Sequence, residues 1–255
     1  MRGLAVAGIV AVVVGLGLGV KRYRSTATVT PYDLATRPLS EVAAEGKPLG
    51  LEPVKVGTLT ALIRRPVSGH SWLLYWGGNT STYFREALGT IEGLQLPPEI
   101  GLLVVAPPGY DSEGHPSPAS LERDAVLARD WLKQQEGAER IVTGGFSMGI
   151  YSALVSAEKD VRATVVMGTA SVFEASDASP FIRLKEPDRY RIRKEPPKVP
   201  ALVIQGEHDE LEQGKAVAAW LGARLLVLPG VHHVETQRSP EALRQASEFI
   251  QKYLN

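Results

Sequence analysis

The sequence contains no cysteine, and this absence removes a large part of covalent and metal chemistry from consideration. Disulfide bridges, thiolate metal sites and cysteine nucleophiles are excluded, although the absence does not distinguish an oxidising compartment from a reducing one. Any covalent catalysis by a side chain must therefore use serine, threonine, lysine or a carboxylate.

The chain also lacks net charge, because 28 lysines and arginines balance 28 aspartates and glutamates. Nothing in the composition favours nucleic acid or another acidic polymer as a partner, so no nucleic-acid binding is expected. His70, His115 and His208 are interpreted as surface or loop residues. None has a second histidine or acid at the spacing of metal ligands, and we therefore expect no metal site.

Charged and polar side chains are missing altogether from residues 3–20, which consist only of Gly, Ala, Val, Leu and Ile. This length just reaches a membrane span. Basic residues at 21, 22 and 24 argue against the competing interpretation, a signal peptide cleaved near residues 25–27, after which the protein would be secreted or periplasmic. We expect residues 1–24 to form an uncleaved membrane anchor, and the basic flank weakly favours a cytoplasmic globular domain.

Residues 25–50 contain three prolines and no sustained periodicity, which predicts a tether.

From residue 51 onward, short apolar runs alternate with amphipathic stretches. The predicted strands are 51–56, 58–65, 71–76, 101–106, 139–144, 163–167, 201–205 and 224–228, and the predicted helices are 83–94, 117–135, 150–157 and one that begins near 239. This alternation predicts one α/β domain over residues 51–255, with a mostly parallel central sheet and helices on both faces. Functional sites of such sheets lie at the carboxyl ends of the strands.

The most informative stretch is Gly145-Phe146-Ser147-Met148-Gly149, which lies between a predicted buried strand and a predicted helix. Strand, G-x-S-x-G and helix form the context of a nucleophile elbow. The glycines are needed because the serine occupies a strained turn, where a side chain two residues to either side would collide with backbone. The pattern predicts that Ser147 is a nucleophile.

Two further strand ends carry residues that could activate this serine. Residues 206–209, Gly-Glu-His-Asp, follow one strand, and residues 230–233, Gly-Val-His-His, follow the next. A serine nucleophile needs a base within hydrogen-bond reach, and the base needs a carboxylate to fix its tautomer. The chain order Ser, acid, His is that of the α/β-hydrolase triad. Taken alone, the residues leave Asp209 in competition with Glu207 and Glu210 as the acid, and His233 with His232 as the base.

The chain from about residue 51 to its end resembles the α/β-hydrolase superfamily, specifically the compact, often membrane-anchored serine hydrolases of the Bem46-like group. Besides the elbow, residues 75–79, Tyr-Trp-Gly-Gly-Asn, are similar to the family's H-G-N turn. Residues 106–117 are similar to its R-G-Y-G-x-S-x-G-x-P-S stretch. The sequence departs from the family at Gly77, where a histidine is usual, and at Pro108 and Asp111, which replace an arginine and a glycine.

The resemblance implies roles for particular residues. Its G-x-x-D and G-x-x-H spacings select Asp209 as the acid and His233 as the base, while Glu207 and Glu210 are expected to be solvated. Backbone N–H groups of Met148 and Asn79 are expected to form the oxyanion hole. A short lid is expected at about residues 171–199, where the fold inserts a cap. Asp124 matches an acidic position of the family but is interpreted as an exposed helix charge.

Several aromatic residues are candidates for substrate binding, namely Trp76, Tyr110 and Phe173, with Phe181 as a further member of the same set. The expected activity is cleavage of a carboxylic ester or thioester through an acyl-enzyme, with no cofactor. Its substrate is expected to be a small-molecule or acyl-chain ester. An amidase or peptidase with the same triad, and a non-catalytic binding protein on the same fold, are the alternatives.

Overall fold

The structure is a computed structural model that describes residues 36–158, 160–169, 195–209 and 213–255. The predicted anchor at residues 1–24, and the predicted lid at 171–199 apart from its last five residues, lie outside these ranges. In the ranges described, no helix combines the length and the apolar composition that a bilayer crossing requires.

The described residues form one eight-stranded sheet with the order β1-β2-β4-β3-β5-β6-β7-β8. The strands are β1 (Glu52–Val56), β2 (Leu59–Arg64), β3 (Ser71–Trp76), β4 (Ile100–Ala106), β5 (Arg140–Phe146), β6 (Val161–Met167), β7 (Ala201–Gly206) and β8 (Arg224–Leu228). Strand β2 is antiparallel to both of its neighbours, β1 and β4. All pairings from β4 through β8 are parallel. The prediction of a mostly parallel sheet is confirmed.

Helices cover both faces of this sheet. They are α1 (Leu39–Gly46), α2 (Tyr83–Leu94), α3 (Pro118–Gln135), α4 (Gly149–Ser156), α5 (Gly214–Leu221), α6 (His233–Thr236) and α7 (Pro240–Leu254). Buried residues of α1, α2 and α7 pack against one face, whereas those of α3, α4 and α5 pack against the other. The predicted start of α3 is confirmed, because the Ser117 hydroxyl accepts a hydrogen bond from the Ser120 N–H at 3.1 Å.

Helix α1 corrects the predicted tether, which does not extend through residue 50. Val42 in this helix is fully buried in the core that α2 and α7 also cover. Pro38 is the N-cap residue of α1, and Pro48 lies in a 3-10 turn over Lys47–Leu49. Both prolines occupy positions at helix ends where a backbone N–H is not needed. They therefore lie at the two ends of a packed helix and do not mark a flexible segment.

The central strands position the carboxyl edge of the sheet. Every residue of β3 and β4 is buried, as expected for parallel strands covered on both faces. Strand β3 lies between β4 and β5, and Trp76 pairs with Val105 on one side and with Gly145 on the other. The turn that follows β3 therefore lies directly beside the turn that follows β5.

Candidate active site

Ser147 lies in a sharp turn between β5 and α4, as the elbow pattern predicts. Its φ of 52° is in the left-handed region, which costs a non-glycine residue about 1–3 kcal/mol. Two hydrogen bonds hold the turn in this conformation, since the Ser147 N–H donates to the carbonyl oxygens of Met167 at 3.0 Å and Gly168 at 3.1 Å. The backbone thus keeps the serine side chain at the carboxyl edge of the sheet.

The glycines that flank the serine leave no room for a side chain. A Cβ on Gly145 would lie 2.6 Å from the carbonyl oxygen of Gly149. A Cβ on Gly149 would lie 2.3 Å from the carbonyl oxygen of Trp76 and 2.4 Å from that of Gly77. These distances are far inside van der Waals contact, so the steric reason predicted for both glycines is confirmed.

Ser147, His233 and Asp209 form one continuous hydrogen-bonded path. The His233 Nε2 lies 2.9 Å from the Ser147 Oγ, and the His233 Nδ1 lies 2.9 Å from the Asp209 Oδ2. An ionised carboxylate only accepts hydrogen bonds, so Nδ1 carries the proton and Nε2 of the neutral ring accepts from the serine hydroxyl. The Asp209 side chain is fully buried and that of His233 is 14% exposed. This geometry suits a serine activated by a histidine whose tautomer a buried carboxylate fixes.

The structure distinguishes the competing histidines by their positions around α6. His233 is the first residue of this helix, which follows β8. His232 is the N-cap residue, whose side chain accepts from the backbone at Glu235, and its ring lies 5.3 Å from that of His208. Only the ring of His233 is placed toward the serine.

The acid is distinguished in the same way. Asp209 follows β7, and its N–H donates to the carbonyl oxygen of Gly206 at 3.2 Å, so that a tight turn directs the carboxylate to His233. The neighbouring Glu207 is exposed and accepts from the Gly230 N–H at 2.9 Å. Glu210 lies outside the described residues.

A pocket of about 300 Å³ opens beside the serine. Its lining residues are Gly78, Asn79, Thr80, Glu86, Phe146, Ser147, His233, Val234, Gln237 and Arg238. Asn79 therefore shares the pocket with the serine and the histidine, and its side-chain oxygen accepts a hydrogen bond from the Tyr110 hydroxyl. Met148, directly after the serine, is the N-cap residue of α4. The two residues predicted for the oxyanion hole thus lie on the two turns that meet at the serine.

The turn after β3 has Gly77 where the similar family has a histidine, and a buried tyrosine holds this turn in place. Its N–H donates to the Tyr83 hydroxyl at 2.6 Å, and that hydroxyl donates to the carbonyl oxygen of Val105 at 2.7 Å. Burial raises the pKa of Tyr83 well above its ordinary value, which keeps the hydroxyl neutral. Sequence reasoning missed Tyr83, because an aromatic residue at the start of a helix has the same pattern as a core residue.

Two of the predicted substrate-binding aromatics do not line this pocket. Trp76 is 1% exposed and packs in the core beneath α3 and α4. Tyr110 is fully buried on the opposite side of the sheet, and its hydroxyl is directed at Asn79. An aromatic residue at the end of a strand or in the turn after it can face the core as readily as a cleft, and in the structure both side chains pack in the core. Phe173 and Phe181 lie outside the described residues.

Four residues of the pocket lining were not singled out by the sequence, namely Glu86, Val234, Gln237 and Arg238. Arg238 forms an ion pair with Glu86, and the Thr90 hydroxyl lies 3.2 Å from the Gln237 side-chain oxygen. Val234 is 55% exposed. These residues follow His233 or lie on α2, and no motif marks them.

Asp124 corrects another expectation. Its side chain is fully buried on α3 and its Oδ1 lies 2.8 Å from the Nε of the adjacent Arg123. Burial raises the pKa of this carboxyl, and the Arg123 guanidinium partly opposes the shift. The exposed helix charge expected from the sequence is therefore a buried acid.

Across the part of the chain that the structure describes, no three His, Cys, Asp or Glu side chains come together to form a metal site.

Comparisons with known proteins identify the fold. No family model matches the chain, and no curated protein matches it. An esterase of Pyrococcus furiosus superposes with a TM-score of 0.61 at 15% identity, covering 89% of this chain and 99% of that one. A dienelactone hydrolase from Anabaena variabilis gives a TM-score of 0.58 at 20% identity, covering 80% and 98%.

Esterase 2 of Thermogutta terrifontis, in a butyrate-bound structure, gives a TM-score of 0.60 at 17% identity, covering 80% of this chain and 94% of that one. The same esterase has also been solved phosphoramylated by tabun. Many of the structural neighbours are esterases or hydrolases of the α/β-hydrolase fold. At these identities the likeness concerns the fold, and the chain has the α/β-hydrolase fold.

Proposed function

We propose that the protein is a serine hydrolase that cleaves a carboxylic ester or thioester through an acyl-enzyme. The observation that carries the proposal is the hydrogen-bonded path from Ser147 through His233 to Asp209, with both distances at 2.9 Å, beside an open pocket. The strained backbone of Ser147 adds support, because strain of this kind is found where a side chain must be held in a reactive position.

In the first half of the reaction, the Ser147 Oγ forms a bond to the substrate carbonyl carbon while its proton passes to the His233 Nε2. Asp209 stabilises the imidazolium. The backbone N–H groups of Met148 and Asn79 donate to the oxyanion. The tetrahedral intermediate then loses its alcohol or thiol, which takes the proton from His233. Water repeats the sequence to release the acid and regenerate the serine, and no cofactor takes part.

The size of the pocket supports one class of substrate. Its volume, about 300 Å³, is at the small end for ligand sites and supports an acyl group of a few carbons. Esterase 2 of Thermogutta terrifontis, which shares the fold, has been solved with butyrate bound. We therefore propose small-molecule esters with a short acyl chain as the preferred substrates.

A chain-length series of p-nitrophenyl esters from acetate to laurate, measured beside peptide p-nitroanilides, tests this proposal. We expect kcat/KM to be highest for the short esters, and Ser147→Ala to remove the activity. Faster turnover of the anilides would identify an amidase or peptidase. No turnover of either series by the intact protein would support the alternative, a binding protein on the same fold.

We further propose that the protein belongs to the membrane-anchored Bem46-like group and is tethered by residues 3–20, with the hydrolase domain on the cytoplasmic side. The apolar composition of that segment and its basic flank support the proposal. Alkaline carbonate extraction should leave the full chain in the membrane pellet, and externally added protease should not digest the domain in intact cells. Release into the soluble or secreted fraction would indicate signal cleavage instead.

A further inference from the structure

The turn between β4 and α3 contains a buried charge on a strained backbone. Asp111 has a φ of 75°, in the left-handed region that the glycine of the similar family stretch adopts more readily. The residue is only 5% exposed. A carboxylate buried in this way is costly unless a cation compensates its charge.

Arg37, just before α1, is the cation that compensates it. Its Nε lies 2.7 Å from the Asp111 Oδ1 and its Nη2 lies 2.7 Å from Oδ2, a bidentate pair across 74 residues of sequence. The Nη1 of the same guanidinium lies 2.9 Å from the Oε1 of Glu45 on α1. Bidentate pairs of this kind fix orientation as well as charge. The pair thus fixes the position of the turn at Asp111 relative to the start of the domain.

The residue next to Asp111 reaches both turns of the candidate oxyanion hole. The Tyr110 hydroxyl donates to the side-chain oxygen of Asn79, and it lies 3.7 Å from the sulfur of Met148. The Tyr110 ring also packs 5.4 Å from that of Tyr83, whose hydroxyl holds Gly77. A shift of the Asp111 turn would be transmitted through Tyr110 to the loop that carries Asn79.

We propose that Arg37 is a positioning residue for the active site, which acts through Asp111 and Tyr110 to hold the Asn79 loop in place for the oxyanion. The catalytic part of this inference rests on the proposed function, whereas the ordering of the loop does not. The stretch before α1, which sequence patterns assign to a tether, is thereby a functional part of the site.

Arg65 provides a matched control. It also joins two carboxylates, since its Nε and Nη2 lie 2.9 and 2.8 Å from Glu136 and its Nη1 contacts Glu52. It follows β2, whose Arg64 pairs with Leu102 near the amino end of β4, at the edge of the sheet opposite to the serine. Arg65→Ala therefore removes a comparable ion pair without touching the site.

Hydrogen exchange measured by mass spectrometry tests the inference without any reference to activity. Arg37→Ala should speed exchange in the peptides that cover residues 77–80 and 107–112 by about tenfold, because loops that lose their anchoring contacts open locally. Arg65→Ala should leave both peptides unchanged. Unchanged exchange in Arg37→Ala, or the same increase in both variants, would overturn the inference.

Kinetics of p-nitrophenyl butyrate hydrolysis give the second readout. Arg37→Ala should lower kcat about tenfold with KM within about twofold, as expected when a transition-state donor is misplaced and ground-state binding is kept. Arg37→Lys, which retains the positive charge but cannot form the bidentate pair with Asp111, should give an intermediate kcat. Tyr110→Phe should lower kcat similarly, and Arg37→Ala in that background should add less than about twofold.

These measurements separate the two proposals. If the wild-type protein hydrolyses no ester, the proposed function fails, while the exchange of the Asn79 loop still decides whether Arg37 positions it. If the wild-type protein is active and the single effects of Arg37→Ala and Tyr110→Phe multiply fully in the double variant, the path through Tyr110 is wrong.

Discussion

Gly149→Ala tests the geometry of the elbow most severely. The new Cβ would lie 2.3 Å from the carbonyl oxygen of Trp76 and 2.4 Å from that of Gly77, both of them backbone atoms at the end of β3. Ordinary contact begins near 3.4 Å, so the start of α4 and the end of β3 must separate by about 1 Å. Side-chain repacking cannot relieve the overlap, because backbone atoms are on the other side.

The overlap should lower both the stability and the activity of the protein. Overpacking of this kind costs about 1–3 kcal/mol, which for a domain of this size lowers the melting temperature by about 2–12 °C. Because Ser147 lies only two residues before the first residue of α4, the same displacement moves its Oγ relative to His233. A misplacement of about 1 Å lowers kcat/KM by about 100-fold.

Gly89→Ala is the matched control for this experiment. Gly89 lies on the exposed surface of α2, and a Cβ there would meet no atom within 4 Å. This variant should gain about 0.5–1 kcal/mol, because alanine loses less backbone entropy in a helix, and should keep wild-type kinetics. The assays are thermal unfolding by circular dichroism and initial rates with p-nitrophenyl butyrate. A Gly149→Ala protein that melts within 1 °C of wild type and turns over at full rate would show that the elbow tolerates a side chain at this position.

Three further predictions concern single side chains. His233→Ala should lower kcat by about 10⁴-fold or more in ester assays. His232→Ala should keep most of the activity and lose about 1 kcal/mol of stability, because the N-cap of α6 is removed. The reverse pattern of activities would mean that His232 is the base. Asp209→Asn should fold normally and lower kcat by about 10⁴-fold, because the amide favours the wrong imidazole tautomer, and near wild-type turnover would contradict its role. Burial raises the pKa of Asp124 in the folded state, so its proton is lost first from the unfolded chain and stability falls as pH rises through the folded pKa. The melting temperature of Asp124→Asn minus that of wild type should therefore be more positive at pH 7 than at pH 4, and a constant difference would show that ionisation of Asp124 is not costly.

The strands and the elbow could be predicted because their causes are local. Strands such as β3 and β4 are continuous apolar runs, and the requirement for Gly145 and Gly149 follows from the turn that Ser147 must make. The positions of Asp209 and His233 could be predicted because parallel strands end at one edge of the sheet. Here the sequence pattern and the three-dimensional arrangement carry the same information.

The remaining features depend on contacts between distant parts of the chain. The burial of Trp76 and Tyr110 could not be predicted, because the direction of a side chain at or beyond a strand end depends on which helix covers it. Asp124 was expected at the surface because a charged residue on a helix is usually solvated, and its burial depends on what packs over that face of α3. Arg37 and Asp111 are 74 residues apart, and no local pattern indicates that they pair.

Covalent labelling shows whether Ser147 is an activated nucleophile. A fluorophosphonate probe forms a bond to the serine oxygen with loss of fluoride, and mass spectrometry of the digested protein identifies the labelled residue. We expect a single adduct on Ser147, which disappears in Ser147→Ala and forms far more slowly in His233→Ala. Absence of labelling in the wild-type protein, or an adduct on another residue, would contradict this expectation.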